Sequence, residues 1–493
     1  MCNVMKTMIR LVTITALYLA ISSCAISGDD GFLSYSEMDG TTEETTGGDR
    51  FDKIAENPFV KTKDQNVSTF SIDADGASYT IMRKYVNNGW PVERASVRVE
   101  EFLNYFTFDY PDPSGNDNVG INAETGRCPW NEEHRLLRLG LKGKSLADSE
   151  LPESNYVFLV DVSGSMSSKD KLELLKSSLV TLLDYLQPED RISIVTYSGS
   201  VRKLLESTPV RESSKIKAAI GKLEASGYTA GGKAIEMAYE EALSNYIPEG
   251  NNRVILGTDG DFNVGVTDDD ALAELVEGYA RKGIYLTACG FGSGNLNDAM
   301  MKKISIKGNG TYQYIDSEEE MAKVFVQERS KFVSVANDTK VQITFDPEII
   351  ESYRLIGYER RVMNNTDFED DTKDAGEIGA GQTITALYEI VPTENYKAGE
   401  ICGKFDCRYK KSLLDESQAL SIGIKANDGQ MSSDLSFASG VAAYGMVLLG
   451  SEYKGDATLQ MASDLVKSGL SFDPYGYRAQ LLELISRVKV SEK

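Results

Sequence analysis

Residues 156–166 read YVFLVDVSGSM, a continuous apolar run that passes directly into a polar loop. Five consecutive apolar residues are typical of a strand that is buried on both faces of a sheet. Asp161, Ser163 and Ser165 then place three oxygen-bearing side chains on one short loop. Residues 171–186 follow as KLELLKSSLVTLLDYL, in which the leucines recur at helical spacing. This stretch therefore predicts a buried strand, a polar loop and a helix in succession.

The same alternation continues towards the C-terminus. Further apolar runs predict strands at residues 191–197, 253–256, 284–289 and 310–315. Helical patterns lie at residues 215–225, 233–246, 268–282, 297–304 and 317–332. Strands that alternate with helices favour right-handed crossovers and a parallel sheet with helices on both faces. The predicted fold class is α/β, with a doubly wound, mostly parallel sheet over residues 151–332.

Ligands of such sheets bind beyond the carboxyl ends of the strands. Two more oxygen-bearing residues are expected at that edge, beside the three of the first loop. Thr229 lies in a glycine-rich loop, residues 227–232 (GYTAGG), and Asp259 follows the strand at 253–256. Hydroxyl and carboxylate oxygens are the ligands that a hard dication such as Mg²⁺ prefers, at about 2.0–2.1 Å. The sequence therefore predicts a metal site built from oxygen ligands on three loops.

This set of residues, in this order, resembles the metal-ion-dependent adhesion site of von Willebrand factor type A domains. The resemblance implies that Ser163 and Ser165 ligate the metal directly, and that Thr229 does so directly or through water. It implies that Asp161 and Asp259 act mainly through water molecules that they hold in place. In the family, a carboxylate from the partner protein completes the coordination.

The resemblance implies Mg²⁺ as the metal, with Mn²⁺ or Ca²⁺ as alternatives. The chain departs from the family pattern at Ala230, where many members have asparagine, and this leaves open how the loop is held. Two carboxylates around a dication leave the site close to neutral. We therefore expect an acidic protein to be able to bind an acidic partner there, because charges more than about 8–10 Å apart are screened by salt.

The composition excludes several classes of function. The chain has 493 residues, a net charge of −23 and one histidine, His134. Binding to nucleic acid requires clustered basic residues, and a multi-histidine zinc site needs more than one histidine. We expect His134 to be an exposed strand-edge residue without chemistry, and the protein not to be an enzyme. A metal-dependent hydrolase that uses Asp259 and Asp261 is the enzymatic alternative.

The N-terminus has the pattern of a secretory signal. Residues 1–23 begin with basic and no acidic residues and continue with an apolar run at 11–21. The tetrapeptide at 21–24, ISSC, resembles the bacterial lipobox, which implies cleavage and lipidation (palmitate) at Cys24; an ordinary signal peptide is the alternative. Residues 24–57, rich in Gly, Ser, Thr and acids, predict a flexible tether. We expect a lipid anchor in the bacterial cell envelope, at the outer membrane, with the periplasmic face and the cell surface both open.

The flanking regions resemble a bacterial family of type A domain lipoproteins of undetermined function. The residues that carry this resemblance are 68–79 (STFSIDADGASY), 97–106 (VRVEEFLNYF), 379–388 (GAGQTITALY) and 437–446 (FASGVAAYGM). The predicted order is an N-terminal extension at 58–150, the type A domain, a β-rich domain at 333–435 and a helical region at 436–493. We expect strands near 66–73 and 134–142 to pair with the later β-rich region in one sandwich, into which the type A domain is inserted.

Two smaller patterns leave alternatives open. Asp73 and Asp75 could bind a second metal, although a polar turn at the end of a strand is favoured. Cys402 and Cys407 could form a disulfide in an oxidising compartment, or remain free thiols.

The leading functional hypothesis is an envelope-anchored protein-binding module that depends on a divalent metal and captures an Asp or Glu side chain of a partner protein. A structural envelope scaffold, in which the metal only stabilises the fold, is the alternative.

Overall fold

The computed structural model describes residues 43–46, 49–52, 55–72, 75–228, 233–260, 269–292, 294, 296–373 and 375–490. Several predictions concern residues outside these ranges, and they stay predictions: those for the signal peptide, Cys24, Asp73, Thr229, Ala230 and Asp261.

The described residues of the N-terminal region form six strands and two helices: β1 (Glu43–Thr46), β2 (Asp49–Asp52), β3 (Val60–Lys61), β4 (Val67–Ser71), α1 (Ala77–Asn87), α2 (Val99–Asn104), β5 (Val119–Arg127) and β6 (Arg135–Gly143). Strands β1 and β2 pair antiparallel. Phe51 is buried, and the buried carboxylate of Asp49 accepts hydrogen bonds from the backbone amides of Gly294 and Leu296. The flexible tether predicted for residues 24–57 is therefore wrong for residues 49–52, because an aromatic ring and a carboxylate there find buried partners.

The middle region alternates strands and helices: β7 (Ser154–Asp161), α3 (Leu174–Leu182), β8 (Arg191–Tyr197), β9 (Val201–Pro209), α4 (Ser213–Ile220), α5 (Ala234–Ser244), β10 (Asn251–Thr258), α6 (Asp269–Ala280), β11 (Ile284–Phe291), α7 (Asp298–Lys307), β12 (Tyr312–Ile315) and α8 (Glu318–Ala322). Its six strands form one sheet in the order β12-β11-β10-β7-β8-β9. Every neighbouring pair is parallel except β8 and β9, which are antiparallel. The predicted α/β class is confirmed.

Both faces of this sheet are covered, as its continuous apolar strands require. Val157 and Leu159 of β7 pack into one core with α5, α6 and α7, whereas Phe158 and Val160 pack into another core with α3, α4 and α8. The helix predicted at 317–332 is interrupted, because α8 passes into a π-helical turn, Lys323–Gln327, and then a 3₁₀ turn, Arg329–Phe332.

The C-terminal region contains seven strands and three helices: β13 (Ser334–Phe345), β14 (Ile350–Ile356), β15 (Val362–Met363), β16 (Gly376–Gly379), β17 (Thr383–Pro392), β18 (Ile401–Lys410), β19 (Gln418–Lys425), α9 (Ser433–Leu449), α10 (Leu459–Ser468) and α11 (Tyr477–Arg487). One sheet has the order β15-β4-β13-β18-β19, with β16 also on β13, and the other has the order β3-β14-β17-β6-β5. The two sheets share one apolar core.

The predicted long-range strand pairing is confirmed. Strand β4 pairs antiparallel with β13, and β6 pairs antiparallel with β17. The strands on either side of the type A region therefore belong to the same sandwich, and residues 151–332 enter it as an insertion. Among the described residues, no helix is both long and apolar enough to cross a membrane.

The possible disulfide between Cys402 and Cys407 does not occur. Both are buried free thiols on the single strand β18. Five residues of extended chain separate their Cα atoms by about 16 Å, whereas a disulfide requires about 4.4–6.8 Å.

Candidate metal site

Strands β7 and β10 bring two of the predicted carboxylates to one edge of the sheet. They are parallel neighbours, with Val160 level with Gly257, so that Asp161 and Asp259 both come at the strand ends. Strand β7 is also where the chain order switches, since β8 lies on its other side. Sites in open α/β sheets form at such a switch point. The Thr258 hydroxyl donates to Asp161 Oδ2 (3.3 Å) and ties the two strand ends together.

The loop after β7 places both predicted serine hydroxyls beside Asp161. The Ser163 amide donates to Asp161 Oδ1 (2.8 Å), and the Oγ atoms of Ser163 and Ser165 are 2.9 Å apart. Ser163 is buried and Ser165 is half-buried. The structure thus brings four of the five predicted metal ligands together, namely Asp161, Ser163, Ser165 and Asp259.

The glycine-rich loop is fastened to the first loop at its start. The Ser226 amide donates to the carbonyl of Val162 (2.8 Å), and the Gly164 amide donates to the carbonyl of Gly227 (3.0 Å). Gly227 has a φ of +81°, which an L side chain rarely adopts. The two loops are therefore neighbours as far as Gly227, two residues before Thr229.

Burial sets the electrostatics of this edge. The side chains of Asp161 and Asp259 are 0% and 1% exposed. Burial raises the pKa of Asp161 to about 6; hydrogen bonds from Ser163 oppose the rise and the charge of Asp259 adds to it. A buried carboxylate whose charge is disfavoured by burial and by a neighbouring carboxylate would be stabilised by a nearby cation.

A lysine that the sequence patterns did not predict supplies a cation at this edge. Lys171 Nζ donates to Asp259 Oδ2 (2.9 Å) and to the backbone carbonyl of Ser165 (3.0 Å). One signal could have found it, because Lys171 lies four and eight residues before Leu175 and Leu179, on the buried face of the predicted helix. A lysine on such a face needs a buried acidic partner.

The residues at this edge fit a hard dication. Two carboxylates and two hydroxyls are the oxygen ligands that Mg²⁺ prefers, and a dication would offset the charge that remains. Across the part of the chain that the structure describes, no three His, Cys, Asp or Glu side chains form a metal cluster. A metal at this edge would therefore depend on the hydroxyls as well as the carboxylates.

Two other predicted positions have structural partners. His134 is half-buried, and its Nδ1 lies 2.6 Å from Oε1 of the buried Glu389. The same carboxylate accepts from Trp130 Nε1 (3.2 Å) and Arg354 Nη2 (3.3 Å). The prediction of an exposed His134 is wrong, because it lies over β17 and not at a free edge. Asp75 accepts from the amide of Tyr312 (2.9 Å), which agrees with a polar turn.

A second group of buried charges, the α1–α8 cluster, lies where α1 packs against β12 and α8. Arg83 donates to Asp316 (2.9 Å), to Glu320 (2.8 Å) and to the hydroxyl of Tyr105 (2.8 Å). Lys323 lies over the Tyr105 ring, 4.2 Å from its centroid. The cluster consists of three basic and three acidic residues: Arg83, Lys323, Lys331, Asp316, Glu320 and Glu328.

Three sequence models match the chain. Residues 45–138 match a model described as von Willebrand factor, and residues 155–327 match the von Willebrand factor type A domain. Residues 330–490 match a model described as the C-terminal part of the uncharacterized protein YfbK.

Similar proteins cover different shares of the chain. The uncharacterized protein YfbK of Escherichia coli (strain K12) is 37% identical over 462 residues, which is 88% of this chain and 80% of that protein. Inter-alpha-trypsin inhibitor heavy chain H4 of Homo sapiens is 29% identical over 201 residues, 39% of this chain and 21% of that protein. A solved von Willebrand factor type A structure from Catenulispora acidiphila covers 78% of this chain and 92% of its own, with 18% identity and a TM-score of 0.46.

Proposed function

Because the chain belongs to the YfbK family of bacterial proteins with a von Willebrand factor type A domain, we propose that it is a metal-dependent protein-binding module of the cell envelope. Type A domains are in general protein-interaction modules and not enzymes. The finer proposal is that this one captures an Asp or Glu side chain of a partner protein at a site formed by Asp161, Ser163, Ser165, Thr229 and Asp259. A lipid on Cys24 would hold it at the membrane.

One observation carries the proposal. Two buried carboxylates and two neighbouring hydroxyls lie at the strand ends, where Ser163 Oγ and Ser165 Oγ are 2.9 Å apart and Asp161 is fully buried. A bound Mg²⁺ would supply an open coordination position for a carboxylate oxygen of the partner. Asp161 fixes the start of the loop through the Ser163 amide, and the two hydroxyls lie next to each other on that loop.

The rim of the site offers a further contact for a partner. Tyr228 is 90% exposed and directly precedes Thr229. Exposed tyrosine rings are enriched at protein interfaces, where they provide both apolar area and a hydroxyl. We expect Tyr228 to contact the residues that flank the captured carboxylate.

The first test is metal-dependent stability of the full chain. Addition of Mg²⁺ or Mn²⁺ should raise the thermal midpoint. When the free metal concentration is about 100 times Kd, the free energy of unfolding should increase by about 2.7 kcal/mol. The gain should be lost in the Ser163→Ala/Ser165→Ala variant and retained in Ser167→Ala, which removes an exposed hydroxyl from the same loop. No rise in the wild type, or an equal rise in Asp161→Ala, would contradict the metal site.

The second test distinguishes a metal-dependent protein-binding module from a structural envelope scaffold. Affinity capture from envelope extracts should recover a partner with the wild type and Mg²⁺, and should fail with chelator or with the double serine variant. Capture that survives chelation would favour the structural scaffold. Incorporation of a palmitate analogue into the wild type, and not into Cys24→Ser, would test the anchor separately.

A further inference from the structure

Lys171 places a positive charge inside the candidate metal site. Its side chain is 9% exposed, and its ammonium group bonds to Asp259 Oδ2 (2.9 Å) and to the carbonyl of Ser165 (3.0 Å). Both acceptors belong to residues of the predicted ligand set. The ammonium group is therefore a neighbour of any metal that binds there.

The stem of Lys171 is confined by the backbone at Gly292. Gly292 has a φ of +70°, and a Cβ atom built on it would lie 2.2 Å from Lys171 Cε and 2.5 Å from Cγ. The Gly292 carbonyl is itself fixed, since it accepts from Lys84 Nζ (2.9 Å) and from the Tyr314 hydroxyl. The chain at residue 292 thus packs against the methylene groups and holds the ammonium group where it is.

The charges of Asp161, Asp259 and Lys171, which lie together at this edge, do not balance. Asp161 and Asp259 contribute two negative charges and Lys171 one positive charge, which leaves −1 without metal and +1 with a dication. The sequence-based expectation of a nearly neutral loaded site omitted this lysine. A carboxylate from a partner brings the loaded site from +1 to neutrality.

We propose that Lys171 is a fixed second cation of the site, which weakens metal binding but makes the metal-loaded site selective for an anionic partner group. This inference rests on the proposed function. It adds that one residue lowers the affinity of the site for the metal and raises the affinity of the loaded site for the partner's carboxylate. Without metal, the ammonium group neutralises Asp259. With metal, it repels the dication and attracts the partner's carboxylate.

The decisive measurement compares two affinities in one variant. Lys171→Met keeps an unbranched apolar stem beside Gly292 and removes the charge. Calorimetric titration of the full chain with Mn²⁺ should show at least about tenfold tighter binding than in the wild type, since a unit charge and a double charge a few ångströms apart repel enough for this even in water. Acetate, followed by its effect on the water-proton relaxation of bound Mn²⁺, should bind the variant more weakly than the wild type.

Lys169→Met is the matched control. Lys169 is exposed at the start of the same π-helical turn, Lys169–Glu173, and its replacement should leave both affinities within about twofold. Lys171→Gln, which is polar and uncharged, should behave like Lys171→Met in both titrations. A lysine that only supports the fold would give weaker metal binding in both variants.

The outcomes separate this proposal from the one on which it rests. Equal or weaker Mn²⁺ binding by folded Lys171→Met, while the wild type binds, would overturn the role of Lys171 alone. Tighter metal binding without weaker acetate binding would also overturn it. No Mn²⁺ binding by any variant would overturn the metal site itself. A variant that stays unfolded in saturating Mn²⁺ would contradict the proposal too, because the metal should replace the missing charge.

Discussion

The α1–α8 cluster and the metal edge are both groups of buried charges, but only the first is balanced. In the α1–α8 cluster, three basic side chains meet three acidic ones, and Arg83 alone contacts two carboxylates and a tyrosine hydroxyl. At the metal edge, Lys171 is paired with Asp259, and the second carboxylate, Asp161, accepts from the Thr258 hydroxyl. A balanced group meets its own electrostatic needs within the fold, whereas an unbalanced group still needs a cation from outside.

Two carboxyl groups illustrate the difference. Burial disfavours the charged form of Glu328, but the ammonium groups of Lys323 and Lys331 outweigh it and hold the pKa of Glu328 below its usual value. Burial raises the pKa of Asp161 to about 6, and the hydrogen bonds from Ser163 do not offset this rise. Both carboxyl groups are therefore affected by burial, and the charge of the neighbouring residues decides whether the pKa is raised or lowered.

The largest expected effect comes from unbalancing the α1–α8 cluster. Arg83→Met leaves Asp316 and Glu320 without their shared guanidinium, and loss of one partner from a buried ion pair costs about 3–5 kcal/mol. Urea unfolding should show a loss of this size, and Mg²⁺ should not restore it. Arg211→Met, which removes an exposed ion pair with Glu189, should cost less than about 1 kcal/mol.

If Mg²⁺ restored the stability of Arg83→Met, the α1–α8 cluster would itself be a cation site, and the comparison would fail. A loss no larger than that of Arg211→Met would show that the cluster contributes little to the fold.

Neutralising one carboxylate should have opposite consequences in the two regions. Glu328→Gln leaves Lys323 and Lys331 without a shared anion and should cost about 2 kcal/mol, below the range for a fully buried pair because the side chains of Glu328 and Lys331 are 15% and 21% exposed. In chelator, Asp161→Asn should not lower the free energy of unfolding, because it removes a buried charge and keeps an acceptor for the Ser163 amide. Urea unfolding of both variants at pH 7 measures this difference, and equal losses would contradict it.

The sequence predicted the strands that are buried on both faces, and it failed where an element is exposed or a single side chain matters. Residues 156–160 and 253–256 read as strands because both faces of β7 and β10 are apolar. Strand β9 was not predicted, since only three of its nine residues, VRKLLESTP, are buried and it lies at the sheet edge. Edge strands lack the pattern on which such predictions depend.

The predicted site had the right carboxylates and hydroxyls but lacked the cation. Asp161, Ser163, Ser165 and Asp259 follow from their positions after strands, because parallel strands end at one edge. The position of the Lys171 ammonium group depends on the direction of its side chain and on the space beside Gly292. Both depend on how β11 packs against the π-helical turn Lys169–Glu173, which the sequence does not reveal. His134 was misjudged for a related reason, since its partner Glu389 lies 255 residues away in sequence.

A third group of charges, the neighbouring carboxyl groups of Glu359 and Glu100, tests whether unbalanced charge alone is enough to bind a metal. Burial raises the pKa of Glu359 to about 8, with a further contribution from the charge of Glu100. Because the folded pKa is raised above that of the unfolded chain, the folded state holds a proton that the unfolded state releases, and stability should fall as pH rises from about 5 to 8. Here a proton supplies the missing positive charge. We expect no metal to bind at Glu359, because the proposed metal site depends on the hydroxyls of Ser163 and Ser165 as well as on carboxylates.

Glu359→Gln should flatten this pH dependence, with a gain of about 1 kcal/mol at pH 8. The gain is small because the side chain is partly exposed, so that solvent screens its charge. The control Glu351→Gln removes an exposed carboxylate of β14 and should retain the wild-type slope. Urea midpoints measured from pH 5 to 9 with chelator would show the flattening. If Mg²⁺ at pH 8 stabilised the wild type through Glu359 as well as through Asp161, charge imbalance without neighbouring hydroxyls would be enough to bind the metal.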